Sequence, residues 1–364
     1  MSDAPKLYIA GMGMITPVGA NTAMTAAAVR AGVSGYTASE YYAKNGEPIT
    51  MATIPLDALH GMDADIVKGN PYNLRMNCIT RAAIQAIREA CAQAAVRQPM
   101  PLLIAMPEGQ ADSRQINVML GNLEKNCQPW VKTSNCRRYH TGRAAGMEAL
   151  SFVFRYMADS QDDYFLVGGS DSHRDYNCLY PHDEAGRLLT SKTRDGFAPG
   201  EAAGFLLLTR RPDQALVKNG HCITIAAPGL ADEPGHLSSN EPYRGEGLDR
   251  AFKQALVGMP AASISAIYSS MNGENHWAKE YGVAYTRSKK YFRDAIAIEH
   301  PADSLGDIGA ATAPVLITLS AENLWNSRTA TAHLVYSSSD SAKRGAVVVE
   351  KIAAQSHYLK SVRS

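Results

Sequence analysis

Two short stretches of this chain hold residue types spaced for chemistry. The first is Cys136-Arg-Arg-Tyr-His140. A thiol and an imidazole lie four residues apart with Arg137 and Arg138 between them. Nearby cations lower a thiol's pKa, and an imidazole can take its proton, so these residues are candidates for a nucleophilic pair. The competing reading is a loop cysteine beside a surface cluster. The second stretch is Met271-Asn-Gly-Glu-Asn-His-Trp-Ala-Lys-Glu-Tyr-Gly282, followed by Arg287. Asn-Gly signals a turn, and the residues after it read as the start of a helix. Glu274, His276, Trp277 and Glu280 can form a recognition surface there. Alternatively, Trp277 packs in the core and Glu274 caps the helix.

Little else in the composition suggests a reactive centre. The six cysteines (Cys78, Cys91, Cys127, Cys136, Cys178, Cys222) are scattered, with no C-x-x-C. They read as reduced thiols of a cytoplasmic protein. No His/Cys cluster has ligand spacing, so neither a metal site nor a cofactor is expected. Lys plus Arg number 36 and Asp plus Glu 35, a net charge of +1. That balance supplies no strong field for nucleic acid or an anionic membrane. The start, MSDAPKLYIAGMG, lacks a basic segment followed by a long apolar run, and so does not read as a signal peptide. Apolar stretches such as Gly309 to Ala321 are too short or too interrupted to span a bilayer.

The elements that must position these residues alternate between strand and helix. Short apolar strands are expected at 7–11, 102–106, 165–169 (ending at paired glycines) and 203–209. Helical periodicity marks 21–31, 75–97 and 143–157. The order then repeats, with strands at 222–226, 264–269, 295–298, 333–336 and 346–352 and helices at 247–257 and 309–324. Such alternation implies an α/β fold with sheets covered on both faces. Two similar halves, 1–212 and 213–364, meet near Arg210-Arg-Pro-Asp213. They read as a pseudo-symmetric pair within one body, and 364 residues suffice for its core.

Five segments in order resemble the β-ketoacyl synthases. They are Ile9-Ala-Gly-Met-Gly-Met-Ile-Thr-Pro-Val-Gly19, Arg30-Ala-Gly-Val-Ser-Gly35, Leu166-Val-Gly-Gly-Ser-Asp-Ser172, Arg194-Asp-Gly-Phe-Ala-Pro-Gly-Glu-Ala-Ala-Gly204 and Leu305-Gly-Asp-Ile-Gly-Ala-Ala311. The resemblance runs over nearly the whole chain. It implies a thiolase fold: two pseudo-symmetric halves in five layers, αβαβα.

The same resemblance implies that the family's chemistry is missing. Its nucleophilic cysteine sits at a helix N-terminus, where the dipole favours a thiolate. Here that position falls on Arg143, which has no lone pair to offer. Asn272 stands where the first family histidine belongs and cannot titrate. Gly306 stands at the second, and Pro301 falls near the family lysine. The glycine-rich loop that supplies an oxyanion donor is replaced by the polar Ser337 to Gly345 stretch. The segment between Ala105 and Arg143 is short, which leaves the standard dimer and a long acyl tunnel in question.

A family member without its catalytic groups must act through contacts. The face around the former site, with Arg143, Asn272, Glu274, His276, Trp277 and the Ser337 to Arg344 loop, is expected to bind a protein partner, as is the 107–140 segment. Arg143 would then anchor a partner carboxylate. Gly142-Arg-Ala-Ala-Gly146, Leu166 to Ser172, His182-Asp-Glu-Ala-Gly-Arg-Leu188 and Asn272-Gly-Glu with Glu280-Tyr-Gly resemble synthase-like accessory proteins of type VI secretion effector clusters. That implies help in loading or stabilising a secreted effector or spike component. The alternatives are a chain-length-factor-like subunit paired with an active ketosynthase, and an atypical acyltransferase. A homodimer is compatible with all of them.

Overall fold

The structure is a computed structural model that describes residues 5–59, 74–109, 113–193 and 195–354. Arg194, which opens the glycine-rich motif, lies outside the described residues.

In the first half, strand β1 (Leu7–Ile15) leads to helix α1 (Thr22–Arg30) and a hairpin of β2 (Tyr36–Tyr42) and β3 (Pro48–Ala52). Helix α2 (Leu74–Ala92), β4 (Leu102–Ala105), α3 (Ser113–Asn126) and β5 (Cys136–Tyr139) follow. The half closes with α4 (Ala145–Tyr156), β6 (Tyr164–Ser172), α5 (Tyr176–Glu184) and β7 (Glu201–Thr209). The second half opens with β8 (His221–Ile225), β9 (Gly229–Asp232), α6 (Glu246–Ala255) and β10 (Ile264–Tyr268). It continues through α7 (Asn275–Ser288), β11 (Phe292–Glu299), the short α8 (Ala302–Leu305) and α9 (Thr312–Asn326). Strands β12 (Ala332–Ser338) and β13 (Lys343–Ala353) complete it.

The strand order is β11-β10-β12-β13-β8-β1-β7-β6-β4-β5, with β9 paired to β13. Read outward from the centre it is the same in both directions. Each half has two antiparallel pairs next to the seam and two parallel pairs toward its edge. The seam itself is short: Leu7 and Tyr8 of β1 face Ile225 and Thr224 of β8.

Side-chain alternation sorts the core into three slabs. On β7, Ala202, Leu206 and Leu208 join the central slab, while Ala203, Phe205 and Leu207 join an outer one. The central slab holds α4 and α9 between the two half-sheets. One outer slab holds α2 and α3, and the other α6 and α7. These are the five layers, α-β-α-β-α. On β1 the register shifts between Ile9 and Gly11. The shift turns Gly11 and Gly13 toward α2, whose backbone lies so close that a Cβ there would meet the Ala90 and Ala86 carbonyls at 2.1 and 2.0 Å. Close approach, rather than turn formation, is why this strand carries glycine.

Several elements depart from the sequence reading. Strand β6 does not end at Gly168-Gly169 but continues to Ser172, because Asp171 and Ser172 remain paired to β7. Residues 143–157 are not one helix: Gly142 to Ala144 form a 3-10 turn before α4. Cys136 is not in a loop but opens the edge strand β5. Among the described residues, no helix is long and apolar enough to cross a membrane.

Candidate functional site

Three segments far apart in sequence meet between the halves: the 3-10 turn before α4, the turn before α7, and the β12–β13 connection. Gly142 takes φ +60, which reverses the chain after β5 and points Arg143 inward. The Arg143 Nε donates to the Ser338 carbonyl at 2.7 Å. Its Nη1 pairs with Asp307, its Nη2 with Asp340, and its guanidinium lies 4.5 Å from the Trp277 ring centre.

The network extends from there. Asn272 Nδ2 donates to Asp307 at 2.8 Å and to Glu274 at 3.0 Å. Glu274 receives a fork from Arg187, with Nε at 2.7 Å and Nη2 at 2.8 Å, and Arg187 Nη1 reaches Asp340 at 2.6 Å. Trp277 Nε1 adds a bond to Glu274 at 3.1 Å. Behind Trp277, Arg344 and Glu280 form a fully buried pair at 2.7 Å. Two guanidiniums, Arg143 and Arg187, thus hold three carboxylates, and the Asn272 amide and Trp277 indole supply the remaining donors. Such pairing is what permits charges to sit inside a protein.

Arg143 is 6 % exposed, Asn272 4 %, Glu274 8 % and Trp277 2 %. These residues therefore do not form a partner-binding face, and the expectation that they do is corrected. The carboxylates that satisfy Arg143 are internal. His276 is half-buried, stacked on Tyr243 with ring centres 4.1 Å apart. Ser337, Ser338, Ser339 and Arg344 are buried as well, while Asp340 to Lys343 are half-buried. Trp277 packs in the core, and Glu274 occupies the N-cap position of α7 without a capping bond because its carboxylate is engaged elsewhere.

The backbone restricts two of the positions that the sequence resemblance assigns to chemistry. Gly306 has φ +69, and a Cβ there would lie 2.6 Å from the Ala198 carbonyl. A histidine cannot be placed at this position without moving the chain. In the 337–344 loop the backbone donors are already spoken for. Ser338 N–H donates to Ser270 Oγ at 3.0 Å, Ser339 N–H to the Lys343 carbonyl at 3.0 Å, and Asp340 and Ser341 N–H to Glu108 at 3.2 and 2.9 Å. No donor of this set is left for an oxyanion. The remaining cleft beside Arg143, lined by Asp171, His173, Cys178, His182 and Asp340, holds about 80 Å³. Small-molecule sites usually need several times that volume.

The electrostatics fit a locked network. Burial raises the Asp307 carboxyl, but Arg143, His173 and the hydrogen bond from Asn272 together outweigh it and hold the group below the usual range. Asp340 is likewise held low against burial, by Arg143 and Arg187. Burial pushes the Cys136 thiol up to about 11 despite Arg138, opposite in direction to the lowering that nearby cations suggest. Cys178 is pushed up to about 11 in the same way despite Arg75.

Sequence reasoning did not single out Asp307, Arg187 or, within the Ser337 to Arg344 loop it named, Asp340. Asp307 and Arg187 both lay inside segments quoted only for resemblance, each next to a glycine that takes positive φ (Gly306 and Gly186).

A pH dependence follows from the buried imidazoles. Burial, with His173 and Arg187 nearby, pushes His182 down to about 4, and burial does the same to His333. The unfolded chain binds these protons near the ordinary histidine value of about 6.5. Between that value and 4 the unfolded state therefore holds more protons, and stability falls as pH falls. Asp307 and Asp340 titrate below this window, so their contribution disappears only at lower pH. Thermal unfolding followed from pH 8 to pH 4 should show the midpoint declining below about pH 6.5, with a shallower decline in His182→Gln. A flat midpoint down to pH 4.5 would contradict the assignment.

No known protein-family model matches the chain. Solved structures do. The ishigamide ketosynthase/chain length factor superposes with a TM-score of 0.74 at 17% identity, covering 96% of this chain and 99% of that one. A ketosynthase (ApeO) in complex with its chain length factor (ApeC) from Xenorhabdus doucetiae gives 0.69 at 16%, over 96% and 100%. The ketosynthase from module 6 of the bacillaene synthase of Bacillus subtilis 168 gives 0.73 at 14%, over 95% and 72%. With its five layers and mirrored strand order, the chain has the thiolase-type α/β fold of the ketosynthases and chain length factors.

Proposed function

We propose that this chain is a non-catalytic ketosynthase-like protein that works by binding another protein. The observation that carries the reading is the buried guanidinium of Arg143, which occupies the family's nucleophile position and is tied to Asp307 and Asp340. A locked ion-pair network cannot supply a thiolate, and the cleft beside it has no room for an acyl chain. The fold is kept while the reactive centre is replaced by structural contacts.

For the partner, the comparisons favour a ketosynthase, because complexes of a ketosynthase with its chain length factor are among the matching structures. In this reading the chain is the silent member of a two-subunit pair. A role in a type VI secretion effector cluster rests on the resemblance of short segments alone and is the second reading.

Both halves of the proposal can be tested. Purified protein incubated with radiolabelled malonyl and acyl carrier thioesters should show no covalent label and no decarboxylation above a heat-killed control. Tagged protein recovered from its native host should bring down a ketosynthase. Label on any residue would defeat the non-catalytic reading, and recovery of a secreted effector in place of a synthase would select the second partner class.

A further inference from the structure

We infer that the end of the second half where β10, β11 and β12 begin is a docking site for an anionic lipid surface. Ile264 pairs with Phe292 on one side and with Ala332 on the other, so these parallel strands start level. The turns that lead into them, 256–263, 289–291 and 327–331, therefore emerge side by side. Together they hold Lys289, Lys290 and Arg328 and no acid. Arg293 and Lys351 extend the cluster. Arg293 Nη2 donates to the Thr329 carbonyl at 3.2 Å, and Lys351 Nζ to that of Ser327 at 2.5 Å. None of these five cations is ion-paired among the described residues. Two acids stand near them in sequence: Asp294, exposed on β11, and Glu322, already held by Lys218.

The fold does not impose this charge. The corresponding turns of the first half, 93–101, 127–135 and 157–163, carry Asp159, Asp162 and Asp163 against Arg97 and Lys132. The net charge of +1 thus hides a local cationic excess, of the kind that attracts an anionic membrane surface.

Beside the cations stands an apolar tip, Val257-Gly-Met-Pro-Ala-Ala262. Val257 is 78 % exposed, more than any other large apolar side chain among the described residues. The turn is held rather than loose. Met259 N–H donates to the Leu256 carbonyl at 3.1 Å, and Ser263 Oγ to that of Pro260 at 2.8 Å. Ala262 takes φ 52, uncommon for a residue other than glycine, and its N–H donates to the Lys290 carbonyl at 3.0 Å. That bond fixes the tip against the lysine turn.

The chemistry of the tip decides the occupant. Val257, Pro260 and Ala261 have no aromatic face on which a base could stack, which disfavours nucleic acid. The turns are not strand edges, so a partner strand cannot add to them. A bilayer needs neither feature. Val257 and Pro260 would sink beneath the headgroups while the lysine and arginine heads stay level with the phosphates. This goes beyond the protein-binding reading and does not depend on it.

The test uses the full chain and vesicles of phosphatidylcholine, alone or mixed with phosphatidylglycerol, read by cosedimentation. Binding is expected to the mixed vesicles only, and to weaken as salt rises. One lysine near such a surface contributes about fivefold, so Lys289→Gln/Lys290→Gln should bind about twenty-fivefold more weakly. Val257→Ser should bind several-fold more weakly. Val257→Trp should bind more tightly, with its emission shifting to shorter wavelength on mixed vesicles and not on neutral ones. All three variants should keep the parent unfolding midpoint, because the side chains are exposed. Equal binding to neutral vesicles, no binding to mixed ones, or unchanged binding by the glutamine variant overturns the site. So does tighter binding of oligodeoxythymidylate that Val257→Ser leaves unchanged, which would mark a general polyanion patch. A purified partner protein that the glutamine variant no longer binds, with vesicle binding intact, would make the occupant a protein and overturn the lipid assignment too.

Discussion

Arg143→Ala is expected to destabilise the protein by about 3–5 kcal/mol, the range for breaking a buried ion pair by removing one partner. The reason lies on the acidic side of the network. Asp307 keeps its bond from Asn272 and Asp340 its bonds from Arg187, but both lose the cation that offsets their burial. The Ser338 carbonyl loses its donor too, and the Trp277 ring loses one of the two guanidiniums packed against it, the other being Arg344 at 5.6 Å. Chemical denaturation at pH 7 gives the number. Arg143→Lys, which keeps the charge but not the fork, should fall between the two. A loss below about 1 kcal/mol for Arg143→Ala, the scale of an exposed pair, would mean that the network is not structural. Arg143→Cys should likewise be destabilised and should not become a synthase, because Gly306 leaves no space for a histidine and the 338–341 donors are used. Substituting Arg143 and Trp277 together would report folding, since neither side chain reaches the surface.

Gly200→Val is expected to cost about 3 kcal/mol, the upper end for overpacking a core, or to abolish soluble expression. Glycine in such a loop is commonly explained by unusual backbone dihedrals. The structure gives another cause. Gly200 is not among the positive-φ glycines. Its N–H donates to the Asp307 carbonyl at 2.8 Å, and a Cβ would sit 2.3 Å from the Leu305 carbonyl and 3.0 Å from that of Asp307. The chain is pressed onto the backbone that carries the network. The two explanations separate with Gly200→Ala. Alanine fits ordinary dihedrals without strain, yet it already carries the clashing Cβ. A clear drop in the unfolding midpoint of Gly200→Ala supports close approach, and a midpoint equal to that of the parent would refute it.

Much of the fold was legible in the sequence because its signals are local. Alternating apolar runs marked most of the central strands, and helical periodicity marked α1, α2, α6 and α9. Elements with weak apolar patterns were not seen: β2 and β3, α3, the four-residue β5, and α5. In β5, Cys136-Arg-Arg-Tyr139 has no apolar run: among the described residues only one edge of the strand is paired, and its two middle residues are exposed.

The sequence by itself therefore determined the alternation of elements and the repeated order of the two halves. The tertiary structure decided where Arg143 and Glu274 point. Arg143 read as an exposed anchor because nothing local to it is acidic. Its partners lie 164 and 197 residues away, at Asp307 and Asp340. Glu274 read as part of a recognition surface or as a helix cap, yet its carboxylate is taken by Arg187, 87 residues earlier. Burial and ion pairing depend on which segments meet across the two halves, and that meeting is fixed by the packing of α4 and α9 between the half-sheets. Charges that seem free along the chain are neutralised in space.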